Sequence, residues 1–301
     1  MRRSCLAIVG FGHLGQACAE VIIADHNLEL VGIVRRPESL ALPLADQFRG
    51  IPAKAHTSEL GSIDAALICV PTTCVTAIAH DLLQHRIPIV ECSELHGREF
   101  HTHKAAIHRA ACRHKVPAIV GAGWDPGAAS LLRGAFALLT PKGRTTSINR
   151  SGVSLHHSAS LRALEGVRDA LCTELRSATG KMQRYVYLEL DADADFERVA
   201  AMVRSDPLFL NEDTLVFPVD RISALEEEGN GMLLERHGTA GTTHQHLLFE
   251  GRFNRTSLAA QIMVSASRAL PQQGPGAWSL FGLPMNVLTA GIDQHFEGQW
   301  M

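Results

Sequence analysis

Apolar residues in the first 120 positions fall into short continuous runs separated by stretches of helical period. Residues 6–9 form one run, which ends at Gly10. From Gly15 onward, Ala17, Cys18, Val21 and Ile22 recur at helical spacing. Further runs follow at 28–34, at 65–70 (stopped by Pro71), at 87–92 and at 116–120. Strands buried on both faces need continuous apolar runs, and the helical stretches supply the crossovers. The pattern predicts βαβ units in an α/β, Rossmann-type, doubly wound parallel sheet.

After about residue 145 the pattern changes. Residues 183–190 read QRYVYLEL, a period-two alternation that predicts an antiparallel strand with one wet face. Residues 193–204 gather Phe196, Val199, Ala200 and Val203 on one helical face. Strands are predicted at 232–237 and 244–253, around Gly238-Thr239-Ala240-Gly241. Residues 257–270 read as helix. The expected division is a dinucleotide-binding domain over 1–120, with 256–301 packing back on it. A second α+β domain, for substrate and dimerisation, spans 121–255.

Composition narrows the classes. The chain has 301 residues and a formal net charge of -3. A near-neutral balance lacks the basic face that a nucleic-acid binder needs. No apolar stretch is long enough to span a membrane. The run after Ser4 is short for a signal peptide and suits a first strand, so a cytoplasmic protein is expected. The seven cysteines include no CxxC pair and mostly sit in apolar segments, which fits reduced, buried thiols. Among the sixteen histidines, the pairs His101/His103, His156/His157 and His244/His246 suggest metal ligation. None has HExxH spacing or a neighbouring cysteine pair, so no metal is expected.

Gly10-Phe11-Gly12-His13-Leu14-Gly15 is a GxGxxG motif between a predicted strand and a predicted helix. The first glycine permits the tight turn, the second lets a pyrophosphate approach the backbone, and the third lets helix and strand pack closely. The helix N-terminus adds free N–H groups for the phosphates. An NAD site carries an acid at the end of the second strand. Here Val34 is followed by Arg35-Arg36-Pro37 with no intervening carboxylate. Two guanidiniums suit a 2′-phosphate and hence NADP(H), the alternative being a solvated basic turn.

Gly121-Ala122-Gly123-Trp124-Asp125-Pro126-Gly127 follows the fifth run, at a carboxyl end of the sheet where such folds bind ligands. An aromatic beside a carboxylate in this turn suits an ammonium group. Asp125 is equally compatible with a helix cap. Glu94 follows the fourth run, so its carboxylate is a candidate to converge with that of Asp125. Paired carboxylates near a nicotinamide suit an amine: one binds the ammonium and the other takes a proton or activates water. These two are the candidate catalytic residues.

GFGHLG, VGIVRRP, AGWDPG, SLHHS, EGVRDAL, TTHQH and AQIMVSASRA occur in this order. In that order they resemble the meso-diaminopimelate D-dehydrogenase family, most of all its shorter, type II-like branch. The resemblance implies an NADP-dependent homodimeric enzyme of lysine biosynthesis. Such an enzyme oxidatively deaminates a D-amino centre, or reductively aminates the matching keto acid with ammonia. It further implies a cofactor site on Phe11 to Leu14, Arg35, Arg36, Cys69, Val70, Pro71 and Thr72. Cys92, Ser93, Glu94, Ala122, Gly123, Trp124 and Pro126 complete it. For the substrate it implies Glu94, Trp124, Asp125, His156, His157, Thr173, Arg184, His244 and Arg255.

Several substrate-side positions depart from the family. Ser93-Glu94 stands where the family has Tyr-Asp, and His156 replaces a glycine. Glu174 falls at a pocket threonine beside Thr173, and Arg255 falls at a pocket asparagine. Arg255 is expected to pair with Glu174, to bind a substrate anion, or to face solvent. The cofactor side is intact, which implies a dehydrogenase whose best substrate differs from diaminopimelate. The competing readings are an imine or amino-acid dehydrogenase with another substrate, and a non-catalytic NADPH-binding paralogue.

Overall fold

The computed structural model describes residues 3–151, 160–176, 182–210, 213–222, 230–239, 241 and 244–289. The chain divides into two compact units, Met1–Ala135 with Arg255–Met301, and Phe136–Asn254. The expected boundary at 120 therefore moves to 135, leaving the Trp124–Asp125 turn in the first unit.

The first unit is built on seven parallel strands. They are β1 (Ser4–Val9), β2 (Leu28–Val34), β3 (Ala53–Lys54), β4 (Ala65–Ile68), β5 (Ile89–Glu91), β6 (Pro117–Val120) and β13 (Gly276–Ser279). Their order is β13-β6-β5-β4-β1-β2-β3, so the direction of winding reverses between β1 and β4. Every expected apolar run of this unit is a strand. The short edge strands β3 and β13 carry no long apolar run and escaped the pattern.

Helices cover both faces. On one face α1 (His13–Ala24) and α7 (Arg255–Ser267) bury Cys18, Ile22, Met263 and Val264 against Leu6, Ile8 and Leu67. On the other, α3 (Thr72–Gln84) and α4 (Gly97–His114) bury Val75, Leu83, Ile107 and Ala111 against Val9, Ile68 and Ile89. The alternation of inward sides along β1, with Leu6 and Ile8 to one face and Val9 to the other, explains why both faces of the strand are apolar. Short helices α2 (Pro37–Leu40) and α8 (Met285–Leu288) complete the unit's set, and the longer α5 (Ala129–Leu139) begins in it and ends in the second unit.

The second unit holds two three-stranded sheets. β8 (Val167–Arg176) pairs antiparallel with β9 (Met182–Leu190), whose other neighbour β10 (Asp213–Pro218) runs parallel to it. The strand expected at 183–190 is thus antiparallel on one edge only. α6 (Phe196–Ser205) follows, capped by Asp195, whose carboxylate accepts from the N–H groups of Glu197 and Arg198. It buries Val199, Ala200 and Val203 against Cys172, Val186 and Leu188. The second sheet is β7 (Gly143–Ser151), β11 (Asn230–Gly238) and β12 (His246–Phe253), all antiparallel. β12 begins at His246, two residues later than its apolar pattern implies.

Candidate active site

The glycine loop crosses from β1 to α1 at the point where the winding reverses. Gly10 has a φ of +93°, and a Cβ there would lie 2.4 Å from the Cys69 carbonyl oxygen. A Cβ at Gly15 would lie 2.2 Å from the Gly10 carbonyl oxygen. These two glycines are demanded by the chain's own packing. Gly12 differs: a Cβ there meets nothing within 4 Å. Among the described residues nothing requires a glycine at that spot, so the open space at the head of α1 is what a ligand backbone contact needs. α1 has no side-chain cap and no acidic residue in its first turn, which leaves its N–H groups and positive dipole end for an anion. Phe11 packs edge-on against Phe48 with ring centroids 5.2 Å apart, and His13 is exposed.

Beside this loop, Val9, Gly10, Val34, Arg35, Arg36 and His56 are among the residues lining a cavity of about 430 Å³. Arg35 donates from Nη1 to the Leu42 carbonyl oxygen at 2.9 Å. Arg36 lies 3.4 Å from Glu38, and both are well exposed. A carboxylate therefore does stand near the arginines, four residues after the end of the strand. As an exposed ion pair in water it is weak and leaves Arg36 available. Cys69 and Val70 abut the glycine loop, and Pro71 caps α3, whose first residue is Thr72.

The loops after β5 and β6 are tied together by a residue the motifs did not point to. Glu91 is fully buried. Its carboxylate accepts from the Ser93 N–H at 2.6 Å, the Gly121 N–H at 2.8 Å and His103 Nε2 at 3.2 Å. Thr76 Oγ1 lies 3.3 Å from His103 Nδ1, which suits the tautomer with its proton on Nε2. Burial alone would raise the Glu91 pKa. The bonds from His103 and Ser93 outweigh it and hold the carboxyl below its ordinary value. The Ala122 N–H also donates to the Glu91 carbonyl oxygen, at 2.7 Å. Cys92, Ser93, Gly121 and Ala122 are all positioned by this one residue. The Ser93 hydroxyl is buried and has no hydrogen-bond partner among the described residues. Burial and the nearby Glu91 charge push the Cys92 thiol up to about 12, so it is protonated and inert.

Gly123 packs on Cys92, and Trp124 to Ala128 form a wide turn kinked at Asp125, whose backbone is extended, with a cis peptide before Pro126. Asp125 is buried, and its two carboxylate oxygens accept from Arg133 Nη1 at 2.7 Å and Nη2 at 2.9 Å. His96 Nδ1 lies 4.0 Å from the same carboxylate. Asp125 is therefore not a side-chain helix cap. Glu94 is half exposed and forms an ion pair with Arg255 at the start of α7. Of the three readings of Arg255 (pairing with Glu174, binding a substrate anion, facing solvent), its half-exposed guanidinium is in keeping with the last. The sequence did not point to its pairing with Glu94, in which two positions that depart from the family neutralise each other. The two candidate carboxylates each have a separate arginine.

Other candidates lie on the second unit. Arg184 on β9 is buried, its guanidinium 5.9 Å from the centre of the Phe209 ring and 3.7 Å from Cys172 Sγ. Thr173 on β8 is half buried and lies cross-strand from Tyr185. His244 is exposed between β11 and β12. His156 and His157 lie outside the described residues, as does the Glu174 side chain. The seven cysteines, all among the described residues, form no disulfide. Cys18, Cys69 and Cys172 are buried as expected, whereas Cys74 and Cys112 are exposed. Among the described residues no helix is long and apolar enough to cross a membrane.

Residues 5–91 match the model of an oxidoreductase family with an NAD-binding Rossmann fold. The chain is 32% identical over 299 residues to a meso-diaminopimelate D-dehydrogenase of Bacteroides fragilis, covering 99% of each chain. A C. glutamicum DAP dehydrogenase in complex with DAP superposes with a TM-score of 0.64 at 24% identity, with 96% of each chain covered. An engineered D-amino acid dehydrogenase bound to NADP+ gives a TM-score of 0.62 at 22% identity, over 95% of this chain and 96% of that one.

Proposed function

The chain belongs to the meso-diaminopimelate D-dehydrogenase family, and from that premise we propose that it is an NADP-dependent amino-acid dehydrogenase acting on a CH–NH2 centre. Its reaction is oxidative deamination of the D-centre of meso-diaminopimelate or a related amino acid, with reductive amination of the keto acid by ammonia in reverse. The residues present suit the cofactor. Gly12 leaves room for a pyrophosphate at the head of α1, and Arg35 and Arg36 border a cavity able to take a 2′-phosphate. The nicotinamide supplies the hydride chemistry when bound.

The protein's share is orientation and charge. Asp125 accepts hydrogen bonds from the substrate amine. Arg133 grips it with two bonds, so it does not need to reorganise when the amine arrives. Glu94 takes a proton from the amine or from the water that attacks the imine. Arg184 and His244 recognise a substrate carboxylate. The observation that carries this reading is the buried Asp125 carboxylate, held by Arg133 at the end of β6, in the same row of strand ends as the glycine loop. The protein is also proposed to be a cytoplasmic homodimer. The stacked outward rings of Tyr185, Phe217 and Tyr187 support an apolar meeting surface for a second copy.

A second reading, a changed substrate, is favoured by the Glu94–Arg255 pair. A carboxylate already neutralised by a cation attracts a second ammonium less, so a substrate other than diaminopimelate suits it better. One assay separates these readings from a non-catalytic binder. NADP reduction is followed with meso-diaminopimelate beside other D-amino acids, and NADPH oxidation with ammonia and a panel of keto acids. Turnover of a carboxylate-bearing amine is expected. NADPH binding without turnover of any member of either panel would leave only the binder.

A further inference from the structure

We propose that Glu235, His237 and His246 form a binding site for a divalent first-row transition ion such as Zn2+. The argument begins with strand alternation. Along β11, Met232, Leu234 and Arg236 point into the unit and are buried, so Glu235 and His237 share the opposite face. β12 pairs antiparallel with β11 and sets His246 directly across from His237. The next pair is hydrogen bonded, the Gly238 N–H donating to the Gln245 carbonyl oxygen at 2.8 Å. His237 and His246 are thus a non-hydrogen-bonded pair, in which facing side chains come closest.

The side chains follow the backbone. The two imidazoles lie 4.3 Å apart between ring centroids and only 12° from parallel. Glu235 Oε2 lies 3.7 Å from His237 Nε2. One ligand atom from each residue lies within 4.8 Å of the other two. Tetrahedral zinc with bonds of about 2.0–2.1 Å needs ligand atoms about 3.4 Å apart. Small rotations of the two exposed histidines and the half-buried Glu235 close that gap without moving the sheet. Two imidazoles and one carboxylate suit zinc, cobalt, nickel or copper rather than magnesium or calcium. The fourth position faces solvent.

None of the three residues belongs to the proposed cofactor or substrate set. Arg144, exposed on β7, stands across from His237 and tempers the affinity of the site for a cation. The bound ion would clip β11 to β12 at the base of the turn that carries His244.

The test is Zn2+ titration of the untagged protein against a chromophoric chelator, with H237A, H246A and E235Q variants. Their metal-free melting curves are checked first, and H237Q and H246Q replace any variant that fails to fold. Each histidine variant should bind Zn2+ about tenfold or more weakly, since even ligand-supporting residues cost that much. Co2+ should give visible d–d bands without a thiolate charge-transfer band. The competing soft site is Cys112, whose Sγ lies 3.4 Å from His108 Nε2. A thiolate band abolished by C112S, or Zn2+ binding unchanged in the H237A/H246A double variant, overturns the proposal.

Discussion

Replacing Glu91 by glutamine changes one oxygen to an amide in a fully buried site, and the structure sets the size of the effect. The carboxylate accepts two backbone N–H bonds and one from His103. A glutamine keeps one oxygen and turns an N–H toward a donor. One buried donor is left unsatisfied, and the surviving bonds lose their charge assistance. Together these cost about 2–4 kcal/mol. In a unit of this size that lowers Tm by roughly 4–16 °C.

The pH dependence follows from the lowered carboxyl pKa. A depressed acid stabilises the fold fully above its unfolded value, about 4.3 for a glutamate. That contribution is lost as pH falls through the lower folded value. The wild type should therefore lose stability with acid faster than E91Q below about pH 5. Melting curves from pH 7 down to the acid limb, run on both proteins, isolate the contribution of this group from that of other carboxylates. A variant melting within about 1 °C of wild type, with a parallel acid limb, would refute the reasoning.

R36A should bind NADPH about tenfold more weakly and NADH about as before, since one charge-assisted bond is worth about 1.5–3 kcal/mol; equal losses in a binding titration would remove the 2′-phosphate assignment. G12A should fold normally yet lose cofactor affinity by about tenfold or more, because its Cβ enters the open space at the head of α1; G15A, whose Cβ strikes the Gly10 carbonyl, should instead fail in thermal melts. D125N should keep its fold and NADPH affinity but lose turnover, and near-wild-type kcat/KM would reduce Asp125 to a turn residue. The E94D/R255N double variant, which restores the family's residues, should gain activity on meso-diaminopimelate relative to the parent; an unchanged ratio to other D-amino acids would show these positions do not set specificity.

The sheet was legible because its strands are buried on both faces, and continuous apolar runs leave no competing pattern. The edge strands β3 and β13 pair on one side only and need few apolar residues, so they left no such trace. Glu91 sat in plain view as a carboxylate inside an apolar run, a signal that a buried partner must exist. Its partners His103 and Gly121 are 12 and 30 residues away, and no local spacing announces them. Arg133 was equally hidden: it lies two helical turns past Asp125, and only the wide turn at Trp124 to Ala128 brings its guanidinium back to that carboxylate. The histidine pairs read from the sequence were neighbours along the chain. The pair that stacks, His237 with His246, is joined by strand pairing instead.

The sheet of the first unit is finished by β13, which adds beside β6, and by α7, which covers α1. Arg268 at the end of α7 pairs with Asp25 at the end of α1. A ribosome making this chain emits β6 long before β13. Roughly 160 residues separate the two, about 8–30 s of synthesis at 5–20 residues per second. Until α7 is made, Cys18, Ala19 and Ile22 of α1 have no helix to cover them, and until β13 is made β6 is an open edge. The nascent protein thus exposes apolar surface that only the segment from Arg255 onward covers. Messages truncated after the second unit would yield aggregation-prone product, however sound the glycine loop that they encode.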